Sequence, residues 1–187
     1  MSYALTEAAL VTPQLLSSPT PCPGWDLETL LDHVVDSIRV LHEAIATGGV
    51  SASAAPGAAR PGPTRWRGCA ATQPGCSPPT PLPDRRSARL SIGDRELTAS
   101  LVAIAGATEI AVHGWDISVA CGAARVIPSG LAALLLPIAP LLITAETRPG
   151  LFADPVRLPG PACPGDELVA FLGRQPRLLA PPEPRGG

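Results

Sequence analysis

Asp26-Leu27-Glu28-Thr29-Leu30-Leu31-Asp32-His33-Val34-Val35-Asp36-Ser37-Ile38-Arg39-Val40-Leu41 opens the segment on which the fold reading turns. Apolar residues recur at Leu27, Leu30, Leu31, Val34, Val35, Ile38 and Leu41, the three-and-four spacing of an amphipathic helix. Asp26 is a good N-cap because a short side-chain oxygen there can accept an otherwise unpartnered first-turn N–H. Gly48-Gly49 ends the pattern. A helix from Leu27 to Thr47 is predicted, with His33 interrupting an otherwise aliphatic run.

Working outward, Ala4 to Leu16 carries a weaker helical pattern that Pro13 shortens or kinks, before Pro19 and Pro21 stop it. Residues 50–86 are rich in Pro, Gly, Ala and Ser, hold Trp66, Cys69 and Cys76, and show no apolar period; a long irregular loop is expected. A second long helix is predicted from Arg95 to Cys121, ended by Gly122 and apolar around most of its circumference, hence central. A third is predicted over Ser129 to Glu146, with Ser129 as N-cap and Pro137 and Pro140 kinking it or breaking it in two. Val156 to Leu158 reads as a short extended piece, Gly165 to Leu172 as a short helix, and 178–187 as a disordered tail. The simplest architecture is mainly all-α: a four-helix bundle in one domain, 1–187, with the long Pro/Gly-rich loop and a short C-terminal α/β extension.

Composition narrows the function classes. The chain has 187 residues, long enough to bury a core, and its formal net charge of -2 offers no basic field for nucleic acid or an anionic membrane. Lysine and asparagine are absent, as expected of a GC-rich bacterial genome. The five cysteines form no C-x-x-C pair, so neither a structural zinc knot nor a disulfide scaffold is expected. Glu7 interrupts the N-terminal apolar run, which argues against a signal peptide. The longest apolar stretch, Leu131 to Ile143, is too short to span a bilayer. A soluble cytoplasmic protein is expected, with monomer and homodimer both open.

Chemistry is concentrated in few residues. The three histidines are His33, His42 and His113. Glu109 and His113, four apart on the second long helix, share one face, and their neighbours are largely apolar. A carboxylate there is costly unless paired, protonated or bound to a metal. If the two long helices pack side by side, His33, Glu109 and His113 make an N/N/O donor set with room for a further ligand, the pattern of a catalytic metal site. The competing readings are an ordinary helix-surface Glu/His pair and a core histidine satisfied by a carbonyl. His42, beside Glu43 at the helix's far end, reads as solvated.

Pro19-Thr20-Pro21-Cys22-Pro23-Gly24-Trp25 followed by Leu30-Leu31-Asp32-His33 resembles the opening signature of the mycothiol-dependent maleylpyruvate isomerase family, within the DinB-like superfamily. Glu109-Ile110-Ala111-Val112-His113-Gly114-Trp115-Asp116 resembles its second signature. Phe152 to Val156 and Leu172-Gly173-Arg174-Gln175-Pro176 resemble its terminal segment, L-G-R-x-P. The three occur in the family's order and span most of the chain outside the loop.

The resemblance implies a DinB-like four-helix bundle with a divalent metal, zinc foremost and nickel, iron or manganese as alternatives, held by His33, Glu109 and His113. It implies a small-molecule substrate and a low-molecular-weight thiol, mycothiol, as co-reactant. Asp116 is a candidate ligand-orienting group or general base, and Arg174 a candidate partner for a substrate carboxylate. Against these stand a capping or surface aspartate and an arginine that merely anchors the C-terminal segment. Trp25 and Trp115 read as core wedges. Cys22 matches a family cysteine and reads as structural; Cys121 reads as a small buried hydrophobe or a reactive thiol. The short N-terminal helix, the Pro-rich loop and the proline-broken third helix depart from the family pattern and leave the substrate open.

Three functions follow as expectations. The first is a metal-dependent isomerase or thiol transferase acting on a small electrophile. The second is a tailoring enzyme of secondary metabolism that uses the metal as a Lewis acid, or to activate water, without a thiol. The third is a non-catalytic bundle that binds a small ligand or a partner protein.

Overall fold

The computed structural model describes residues 2–50, 89–92 and 95–176, and its architecture is mainly helical, as the sequence predicts. Most of the expected 50–86 loop, with Trp66, Cys69 and Cys76, lies outside the described residues, as does the 178–187 tail.

Helix α2 runs Leu27–Thr47, matching the predicted limits. Asp26 Oδ1 accepts the Thr29 N–H at 2.9 Å, and Gly48 closes the helix in the left-handed region at φ 81°. The N-terminal prediction is met only in part. Helix α1 is Ser2–Ala8, and Pro13–Leu15 is a separate 3-10 turn, because Pro13 cannot continue the hydrogen-bond ladder of a preceding turn.

Helix α3 covers Ala99–Ala120, four residues shorter at its start than the pattern predicts. Arg95–Thr98 is instead strand β3, antiparallel to β2 (Arg89–Ile92), with Leu97 opposite Leu90 and an Arg89–Glu96 ion pair at 2.9 Å. Strand β1, Gly49–Val50, joins β2 in parallel register, so the small sheet has the order β1-β2-β3. Thr98 then caps α3, its Oγ1 accepting the Leu101 N–H at 3.3 Å.

The two prolines break the third helix: α4 is Ser129–Leu135 and α5 is Ala139–Leu142, with Pro140 in its first turn. Pro128, not Ser129, holds the N-cap position of α4. Helix α6, Pro164–Phe171, is the helical part of the C-terminal extension. Val156 to Leu158, predicted as an extended piece, pairs in no strand; Val156 N–H donates to Ala170 O at 2.9 Å.

Helix α3 is the axis. On one side α1 lies against it where Gly114 admits a close approach: a Cβ there would sit 3.2 Å from Ala4 Cα. On a second side Ile117 packs into a cluster with Val11, Leu27, Leu30 and Leu31, in which α2 takes part. On the third, Ala111, Val112 and Trp115 join Ile127 from the segment before α4, Leu135 of α4 and Leu168 of α6. A helix wrapped this way must be apolar on most faces, so any polar group inside its ring needs a partner.

Candidate metal centre

Two tight features aim the site. The loop from Pro19 to Asp26 folds back on itself, with a Pro19–Asp26 bridge, Thr20 Oγ1 donating to Trp25 O at 2.9 Å, and Gly24 at φ 79°. That turn delivers Cys22 and Trp25 to the start of α2. From the other end, Gly173 at φ 78° lets the chain leave α6 tightly; a side chain there would collide with the Ala153 carbonyl. Arg174 follows directly and turns inward.

His33 of α2 and Glu109 and His113 of α3 come together. His33 Nε2 lies 2.6 Å and His113 Nε2 3.2 Å from the same oxygen, Glu109 Oε1. The donor atoms of the three residues all lie within 4.8 Å of one another. The two imidazole rings meet edge to face at 5.0 Å between centroids. Trp25 closes one side, 4.9 Å from the His33 ring and stacked at 6.4 Å on His113. Trp25 is therefore a wall of the site while also packing against the Leu27, Leu30 and Ile117 cluster, and Trp115 is a core wedge as predicted. His42 is exposed and takes no part.

Behind His113 is a second, drier layer. His113 Nδ1 is 2.9 Å from Asp116 Oδ2, and Asp116 is fully buried, which excludes the surface-aspartate reading. Arg174 grips the same carboxylate, Nε to Oδ1 at 2.9 Å and Nη2 to Oδ2 at 2.8 Å, and also donates to Leu172 O at 3.2 Å. Cys22 Sγ lies 3.4 Å from Asp116 Oδ2, 3.6 Å from Arg174 Nη2 and 3.9 Å from His113 Nδ1.

The charges fit this layering. Burial pulls the His113 imidazole down, but hydrogen bonds with Asp116, Cys22 and Glu109 and the Glu109 charge outweigh it, and the ring is pushed up to about 11. Burial likewise opposes ionisation of Glu109 and Asp116. Hydrogen bonds to His113 and His33 still hold Glu109 well below the usual carboxylate range. For Asp116, bonds to His113 and Arg174 do the same.

Two donor sets therefore share His113: His33/Glu109/His113 on its Nε2 side and Cys22/His113/Asp116 on its Nδ1 side. A guanidinium already fills the Nδ1 side, and a permanent cation 2.8 Å from Asp116 opposes a metal ion there. The Nε2 side holds no arginine among the described residues. It is partly open, with the His33 and Glu109 side chains about one-third exposed. An N/N/O set of this kind, with one histidine anchored through its far nitrogen on a carboxylate, could hold a divalent metal ion with a position left free.

Asp116 and Arg174, expected as catalytic groups, stand in the buried layer rather than on the open side, and the Arg174 guanidinium is already engaged. Sequence reasoning passed over Ser37, whose Oγ lies 3.4 Å from Glu109 Oε1. Its position one turn after His33 is the signal that marks it. Cys22 and Trp25 were visible within the Pro19–Trp25 motif, but their place beside His113 depends on how that loop folds.

The mycothiol maleylpyruvate isomerase N-terminal domain profile matches residues 3–118. Two proteins of Mycobacterium tuberculosis, from strains CDC 1551 / Oshkosh and ATCC 25618 / H37Rv, are each 30% identical over 184 residues, covering 87% of this chain and 86% of theirs. Both are described as uncharacterized. No solved structure matches the chain. None of the described helices is long and apolar enough to cross a membrane.

Proposed function

The chain belongs to the mycothiol maleylpyruvate isomerase N-terminal domain family, and from that premise we propose that it is a metal-dependent isomerase or thiol transferase. His33, Glu109 and His113 hold one divalent ion, zinc by the chemistry of its donors. A small thiol, mycothiol in this reading, reacts there with an electrophilic small molecule.

One observation carries the reading: two imidazole nitrogens from different helices lie within hydrogen-bonding reach of the same carboxylate oxygen. The metal, when bound, supplies a Lewis acid that makes a thiol more acidic and so a better nucleophile at neutral pH. The thiol, having lost its proton, would add through sulfur to the electrophilic carbon of a conjugated double bond, whose π pair moves to the electron-withdrawing group. If, after rotation about the resulting single bond, the C–S bond breaks, the double bond re-forms and the sulfur takes back a proton, the outcome is isomerisation. If the adduct instead takes up that proton and keeps the C–S bond, the outcome is thiol transfer.

The protein's own contribution is positional. Asp116 takes the Nδ1 hydrogen of His113 and so leaves Nε2 facing His33 and Glu109. Arg174 neutralises Asp116 and fixes its plane with two hydrogen bonds. Both are positioning residues here. Trp25 shields the histidine pair from water on one side.

The test is elemental analysis of the purified protein, followed by turnover with and without added thiol. About one equivalent of metal in the parent chain and none in His113→Ala supports the reading. Full metal content in that variant ends it. Turnover that ignores the thiol transfers the chemistry to a Lewis-acid mechanism without a co-reactant.

A further inference from the structure

A groove of about 230 Å³ runs along the α2–α3 seam from the donor cluster, lined by Ser37, Val40, Leu41, Ala105, Gly106 and Glu109. The sequence spacing explains its course. Ser37 and Leu41 lie one and two turns beyond His33 on α2, while Ala105 lies one turn before Glu109 on α3. The helices are antiparallel, so the two stripes face each other as walls of one channel.

Its chemistry is lopsided. Val40, Leu41, Ala105 and Gly106 are apolar, Ser37 is neutral, and the one charged group is Glu109, at the end that also belongs to the donor cluster. The cations that could receive an anion are engaged elsewhere: Arg174 on Asp116, and Arg39 near Asp36 at 3.5 Å. Gly106 lets the Leu41 side chain pack close against α3 beside the groove. A Cβ there would lie 2.5 Å from Leu41 Cδ1 and would force that side chain to move. The volume is about eight times the share of one water in liquid, enough for a small ring or short chain but below the usual range of drug-sized pockets.

We infer that this groove receives the uncharged, apolar body of a small molecule whose reactive end reaches His33, Glu109 and His113, so that the chain selects neutral apolar substrates over dicarboxylates. One carboxylate of a dianion could face the His33, Glu109 and His113 end, but the second would lie along Val40, Leu41, Ala105 and Gly106, where no cation lines the groove, and its desolvation would go unreturned. An apolar ring loses nothing on entry and leaves water. The inference rests on the metal reading for its reactive end, but the groove's preference can be measured separately.

The experiment uses the full chain loaded with cobalt(II), whose charge-transfer absorption reports a sulfur ligand directly. Cyclohexanethiol and mercaptosuccinate are titrated as probes. Cyclohexanethiol is expected to bind at least tenfold more tightly. Ala105→Phe, at an exposed edge of the groove, should weaken cyclohexanethiol at least fivefold while leaving cobalt content and mercaptosuccinate affinity unchanged. Val40→Phe serves the same purpose should Ala105→Phe fail to fold by circular dichroism. Equal affinities, a preference for mercaptosuccinate, or indifference to both substitutions overturns the inference. Failure to take up cobalt defeats the metal reading alone, and the groove is then judged on the metal-free chain with cyclohexanol. Saturation transfer to cyclohexanol that Ala105→Phe removes supports it; absence of transfer overturns it.

Discussion

Arg174 and Asp116, 58 residues apart, form a two-bond grip in which Nε and Nη2 of the guanidinium donate to the two carboxylate oxygens at 2.9 and 2.8 Å. Both are buried, so neither can exchange its partner for water. Through Asp116 the grip reaches His113 Nδ1, and the C-terminal extension thereby sets the orientation of a histidine on the central helix.

Removing Arg174 strands a buried carboxylate. Arg174→Ala should cost about 3–5 kcal/mol in urea unfolding, the usual cost of breaking a buried pair by one partner. Arg174→Lys, which cannot make the same fork, should recover only part of it. A loss under 1 kcal/mol would show that Asp116 finds solvent.

Asp116→Asn keeps the shape but removes the charge behind His113. Zinc affinity, read by competition with a chromophoric chelator, should fall about 10–100-fold, as for other carboxylate–histidine–metal relays. Unchanged affinity would mean that His113 holds its orientation without that partner.

Metal binding should release a proton. In the metal-free chain His113 is pushed up to about 11, so it carries protons on both nitrogens at neutral pH, and a metal must displace the one on Nε2. Affinity should therefore rise about tenfold per pH unit across neutrality, and calorimetry in buffers of different ionisation enthalpy should count about one proton released per ion. A pH-independent affinity would contradict it.

Stability of the metal-free chain follows the same group. A histidine raised in the folded state stabilises fully below its unfolded value, near 6.5, and the contribution fades as pH climbs toward 11. Glu109 and Asp116, both lowered, contribute above the ordinary carboxylate range and lose that contribution as pH falls through it. Chemical denaturation against pH should show a maximum between those limits, and His113→Gln should flatten the alkaline side.

Gly173 carries a backbone requirement as well as a steric one. Gly173→Ala should destabilise by about 1–3 kcal/mol, because φ 78° disfavours a side chain and the new Cβ meets the Ala153 carbonyl. By displacing Arg174 it should also weaken zinc binding, which a simple turn defect elsewhere would not. Melting curves and chelator competition on one sample separate the two effects.

Much of this was legible before any coordinates. Asp26, the aliphatic repeat and Gly48 delimit α2 because caps and periodicity are local facts, and the Glu109/His113 spacing places both on one face for the same reason. The start of α3 was misjudged because Arg95–Thr98 owes its strand state to pairing with Arg89–Ile92, and nothing in its own pattern of Leu97 and Leu101 opposes a helix. Arg174 was visible in its motif, yet its partner is set by how α6 packs. Trp25 packs on the core as its motif suggested, but an indole two residues after Pro23 gives no sign of which rings it will also touch.

Strands β1 and β2 run parallel with Val50 opposite Ile92, so the chain leaves the described fold at Val50 and re-enters it at Arg89, three residues back along the neighbouring strand. Exit and return are thus tied through one small sheet to α2 and α3, the helices that carry His33, Glu109 and His113. For a flexible connection in general, doubling the length raises the closure cost by only about 0.6 kcal/mol. A lineage could lengthen, trim or replace that stretch while the His33, Glu109 and His113 geometry stayed as it is, a modular seam that separates variation from chemistry.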